Sequence, residues 1–140
     1  MAKIYLSIYA VTCAQLHGAY FLKGRSMDSV NRNVAVIKPK QPFLLWLKGL
    51  PGEDMGISLK EMSQDCTVIL IPEFTFEKEA RIYVEAIYEE LFEMELTSWC
   101  RDESLWPKNR SIQMFREWFD IEIHSEIFDA LDEEIEKELL

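Results

Sequence analysis

The sequence predicts a small α/β domain. A three-stranded, largely parallel sheet, in the order β-α-β-α-α-β, is expected to be flanked by helices in a single layered unit. Three observations carry that expectation. Two short runs, Asn33–Lys38 and Cys66–Ile71, are dense in β-branched and apolar residues, as strands are. The stretch from Thr75 to about Ser98 repeats apolar residues at helical spacing. A last segment, "FDIEIHSEIFDAL", alternates Ile121, Ile123, Ser125 and Ile127 as a strand does. Strands separated by helices imply right-handed crossovers, which make successive strands parallel.

Taken in order, "NVAVIK" is the first strand, and Pro39 and Pro42 stop it because proline cannot continue a ladder. Pro42 suits the first turn of a helix, "PFLLWLKGL", which Gly49 and the Pro51–Gly52 pair end. Ser58 and Glu61 in "SLKE" have capping-box spacing and open a brief helix. "CTVILI" is apolar without interruption between Asp65 and Pro72. A strand apolar on both faces belongs in the middle of a sheet covered on both sides.

The long helix then places Ala80, Val84, Ile87, Leu91 and Met94 on one face, with Thr75 as N-cap. Glu77 and Glu79 suit its positive end, and Glu77 can pair with Arg81 one turn on. "RSIQMFREWF" is a shorter helix with Ile112, Phe115 and Phe119 on one side. The final segment is read as a strand to about residue 128 followed by an acidic helical tail. The alternative, a helix through Ile123, Ile127, Leu131 and Ile135, is spaced equally well. These elements place one globular domain at 27–130 and an acidic tail at 131–140.

Residues 1–26 differ from the rest. Ile4, Leu6, Ile8 and Ala10 alternate with Tyr5, Ser7, Tyr9 and Val11, as in an added strand. A dispensable upstream extension, with Met27 as the natural start, and a targeting segment are the other two readings. The segment has a weak charge pattern for a signal peptide and is too polar to span a bilayer. If it is dispensable, its removal leaves a cooperatively folded domain. Cys13 and His17 have the spacing of two helical metal ligands, but two ligands without partners make no metal site.

Charge and motif content exclude several functions. Net charge is −10. Residues 1–40 carry six basic side chains against one acid, and residues 41–140 carry nine against twenty-four. A strongly acidic body does not neutralise phosphates, so nucleic acid is not an expected partner, and no membrane association is expected. A basic protein partner or a homo-oligomer fits better. Three cysteines without a CxxC pair indicate a reducing, cytoplasmic setting rather than a disulfide framework. The five glycines form no phosphate-binding loop, and no GxSxG or HExxH motif occurs. No cofactor and no metal are expected.

The candidates for chemistry are few. Glu85, Glu89 and Glu93 line one helix face, with Glu90 and Glu95 beside them, and read as a solvated face. His124 shares a strand face with Asp120, Glu122 and Glu126, whose carboxylates favour its charged form and make it a poor base. A nucleophilic pair would join it to Cys100, beside Arg101. The segment "LTSWCRDESLWPKNRS" holds Trp99, Cys100, Arg101, Trp106 and Arg110 within a few residues. Two tryptophans bracketing a polar loop either close the end of the core, each placing its N–H on a carbonyl, or flank a binding pocket with the arginines at its rim.

The sequence therefore points to a small acidic protein that acts without catalysis, through protein contacts or self-association. The alternative is a small enzyme or ligand-binding protein whose pocket lies around Trp99, Cys100, Arg101, Trp106, Arg110 and His124.

Overall fold

In the computed structural model, residues 27–52, 56–131 and 133–138 are described. The readings for residues 1–26, including Cys13 and His17, lie outside them. A short strand β1 (Asp28–Ser29) precedes the long strand β2 (Asn33–Pro39), helix α1 (Gln41–Lys48) and a one-turn helix α2 (Leu59–Met62). Strand β3 (Thr67–Ile71) leads into α3 (Glu77–Ala86) and α4 (Tyr88–Trp99). A 3-10 turn at Glu103–Leu105, α5 (Ile112–Trp118), β4 (Phe119–His124) and β5 (Phe128–Asp129) complete the described chain.

The sheet is antiparallel, which corrects the expected parallel arrangement. Its order is β3-β2-β4, with a separate two-stranded pairing of β1 with β5. Both neighbours run opposite to β2: Ile37 faces Thr67 on one side and Ile121 on the other. The cause lies in the connections. A single crossover helix returns the chain to the far end of the sheet. Here the connection through α1 and α2 makes no net crossing, and the chain enters β3 at the end where it left β2. The central strand is consequently "NVAVIKP" and not the more apolar β3, which sits at an edge. Pro39 closes β2 opposite Phe119, at the end of the ladder where its missing N–H costs least.

Local signals acted as the sequence implied at several points. Ser58 and Glu61 form a reciprocal capping box: the Glu61 N–H donates to Ser58 Oγ at 3.3 Å and the Ser58 N–H to Glu61 Oε2 at 2.8 Å. Ser111, not expected as a cap, also caps α5 by accepting from the Met114 N–H at 3.1 Å. The long helix departs from expectation in two ways. It starts after Phe76 rather than Thr75, with the Phe76 N–H donating to Glu79 Oε2. It also breaks at Ile87 (φ −111, ψ 24) without any glycine or proline, and the Ile87 N–H reverts to a three-residue bond with Val84. The apolar stripe continues across the break, since Ala80, Val84 and Leu91 are all buried. The tail at 133–138 contains no helix. A short segment crowded with Glu133, Glu134, Glu136 and Glu138 has neither the length nor the charge balance to hold one alone.

The connected core lies on one side of the sheet, and Val34 is buried on the other. Ala35 and Ile37 of β2, Ile71 of β3 and Phe119 of β4 face helices carrying Phe43, Leu47, Val84, Phe92, Leu96 and Phe115. Rings of Phe43, Phe92, Phe115, Trp118 and Phe119 meet at centroid separations such as 5.1 Å (Phe43–Phe119) and 5.4 Å (Phe92–Trp118), tilted or edge-on as aromatic quadrupoles prefer.

Candidate functional site

Alternate residues of a strand share a face, so the side of the sheet away from the helices is fixed by the register. It carries Val34, Val36 and Lys38 from β2, Val68 and Leu70 from β3, and Asp120, Glu122 and His124 from β4. This face, bare of described helices although Val34 is buried on it, is divided. On the β4 side Lys38 Nζ donates to Glu122 Oε2, and His124 Nε2 lies 2.7 Å from Glu122 Oε1. The Lys38 hydrogen bond, followed by that of His124, holds the Glu122 carboxyl below its ordinary range, and the same bond raises Lys38. On the β3 side the face is apolar and uncovered: Val68 is 57% exposed and Leu70 48%. The expectation that β3 is buried on both faces is thus overturned.

The two edges of the sheet differ as well. Along β4, Arg81 of α3 donates to the Ile121 carbonyl at 2.8 Å and so occupies one of its main-chain acceptors. Strand β3 pairs only with β2, and among the described residues no strand lies on its outer edge. Thr67–Ile71 contains no charge and no proline, the devices that usually blunt such an edge. Two residues beyond β3, Glu73 and Phe74 begin an open groove of about 550 Å³, continued by Glu79, Ile82, Tyr83 and Ala86 of α3. Phe74 and Tyr83 are in ring contact at 5.7 Å, and Ile82 is 58% exposed.

The tryptophan loop is built differently from the candidate pocket. Trp106 is buried and its indole N–H donates to the Cys100 carbonyl at 2.8 Å. Trp46 reaches the Leu105 carbonyl in the same way at 3.1 Å, and Trp99 packs half-buried against the core. Arg110 lies 5.7 Å over the Trp106 ring while Nη2 holds Glu93 at 2.7 Å and Nη1 the Pro107 carbonyl at 3.0 Å. Cys100 is buried with its thiol toward the Asp102 carbonyl, and Arg101 is exposed. Five of the six candidate residues are therefore neighbours along one loop. His124 is not brought to them: it stands on the bare face, beside Val34 at the far end of β4 from Phe119, while Cys100 ends α4 on the helical side.

The acidic helix face is likewise engaged. Glu85 receives two bonds from Arg116, at 2.8 and 2.7 Å, which hold its carboxyl below the ordinary range. Glu93 takes Arg110, and Glu95 is buried rather than solvated. Among the described residues no cluster of His, Cys, Asp and Glu could hold a metal ion, and no helix is long and apolar enough to cross a membrane. Compared with known protein families, with curated proteins and with solved structures, the chain matches none.

Proposed function

We propose that this protein is a non-catalytic interaction domain of the cytoplasm, and that it engages another polypeptide by adding a strand to the outer edge of β3. The observation that carries this reading is the combination, on the same five-residue strand Thr67–Ile71, of an outer edge that no described strand occupies and an exposed apolar face. An added strand gains main-chain hydrogen bonds from the edge, while Val68 and Leu70 offer apolar contacts to every second side chain of the partner. Exposed apolar surface beside an unguarded edge is costly to keep unless something covers it. The tryptophan loop supports a structural role instead, because the Trp106 indole donor is spent on the loop's own Cys100 carbonyl and its Leu105 carbonyl accepts from Trp46.

The test compares the protein with a Val68→Asp/Leu70→Asp double variant, each isolated from its own host and examined by native mass spectrometry. A partner polypeptide retained by the parent and lost by the folded variant is the expected result. A small-molecule adduct held equally by both, with no polypeptide, would instead favour a ligand-binding protein.

A further inference from the structure

Resting on that strand-addition reading, we infer that the partner segment is basic. It carries a lysine or arginine just beyond the residue that pairs with Ile71, and it lays this side chain in the groove formed by Glu73, Phe74, Glu79, Ile82 and Tyr83. Glu73 follows Ile71 by two residues and Phe74 by three, so the groove begins within about 10 Å of the strand's end. A segment paired along β3 that continues past Ile71 therefore passes the near end of the groove, at Glu73 and Phe74, and a long side chain can reach from there toward the α3 wall.

The lining specifies the side chain. Its walls are apolar and aromatic, and its charged members are the carboxylates of Glu73 and Glu79. Lysine and arginine match this division, since their stems cover apolar surface while the charged head reaches the acids, and the Phe74 and Tyr83 rings attract a cation. Among the described residues none forms an ion pair with Glu73 or Glu79. An arriving cation thus displaces no existing ion pair. The net −15 of residues 41–140 favours approach of a basic segment.

A second copy of the chain fits poorly. Pairing two β3 edges about a two-fold at Ile69 sets Asp65 opposite Glu73 at both ends, acid against acid.

The test uses the full chain, isotope-labelled, with two capped nine-residue peptides that alternate valine and threonine, one ending in two lysines and the other in two glutamates. Amide shifts confined to Thr67–Ile71 and the groove, with the lysine peptide at least about tenfold tighter at low salt, are the expected result. Glu73→Gln/Glu79→Gln should abolish that difference while leaving the β3 shifts in place. If neither peptide moves the β3 amides, strand addition and the basic partner both fall. If both peptides bind alike and the double variant changes nothing, strand addition stands and the cationic preference is refuted. Protection of the β3 amides before any peptide is added, with dimers in sedimentation or with loss of that protection on removing residues 1–26, would assign the edge to this chain itself and overturn the inference.

Discussion

The indole N–H of Trp106 donates to the main-chain carbonyl of Cys100 at 2.8 Å, folding the loop back onto the end of the helix it leaves. With Trp106 buried in the core, this loop is a closure, and its residues should respond unequally to truncation. Trp106→Ala is expected to lose about 3–5 kcal/mol, the usual cost of emptying a buried aromatic site. Trp99→Ala, at a half-buried ring, should lose about half that, and Arg110→Ala about 1 kcal/mol through its ring and Glu93 contacts. Arg101→Ala should fall within about 0.5 kcal/mol of the parent. Chemical denaturation checks the order, and equal effects at Trp106 and Arg101 would refute closure.

The two faces of the sheet make a sharper contrast. Ile37→Asp places a carboxylate in a fully buried position and should abolish folding, because its desolvation cost of several kcal/mol rivals the whole stability of a domain. Val68→Asp, on the bare face, should leave a folded protein within about 1 kcal/mol of the parent. Circular dichroism and thermal melts distinguish the two, and loss of the Val68→Asp fold would mean that the face is covered.

Acid should weaken the fold through its depressed carboxylates. Glu85, held down first by the Arg116 hydrogen bond, and Glu61, held by Ser58, both sit below their ordinary value of 4.5. For a group lowered on folding, the stabilising contribution is complete above its unfolded value and is lost as pH falls through the folded one. Glu85→Gln should therefore melt about 2 °C below the parent at neutral pH, and the two curves should converge as the pH falls below the depressed Glu85 value. Parallel curves over that range would show that the Arg116 pair contributes nothing.

Capping gives a local check on α5, which delivers Phe115 and Trp118 to the core. Ser111→Ala removes the acceptor for the Met114 N–H and should cost about 1 kcal/mol, with Ser111→Asp restoring most of it. Urea midpoints measured for the two variants decide whether the hydroxyl acts as a cap.

The elements were largely legible in the sequence, because caps, periodicity and turn residues act over a few neighbours. Ser58–Glu61, Pro42 with Gly49, and the strand at Asn33 are all of that kind. Strand direction was not legible, since it depends on how often the 40–66 connection traverses the sheet and no residue there records it. The uninterrupted run "CTVILI" misled for a physical reason: an apolar pattern on both faces suits a covered centre, yet here it occupies an edge strand with one face exposed. Trp106 takes the closing role that its place in the loop left open to it, whereas the pairing of Glu85 with Arg116 spans 31 residues and leaves no local trace. Nothing in the spacing separated buried Glu95 from its exposed neighbours.

The central place of β2 also governs the order in which the protein can be made. Lys38 and Glu122, which clasp β2 to β4, are 84 residues apart in the chain. Closing a loop of that length is entropically expensive and comes late, so the pairing with β3 can be in place well before β4 arrives. During that interval both β2 and β3 offer an open edge to other nascent chains, the state in which strands misassemble. Slow or interrupted synthesis between Ile71 and Phe119 should therefore lower the yield of native protein more than any delay within the helices would suggest.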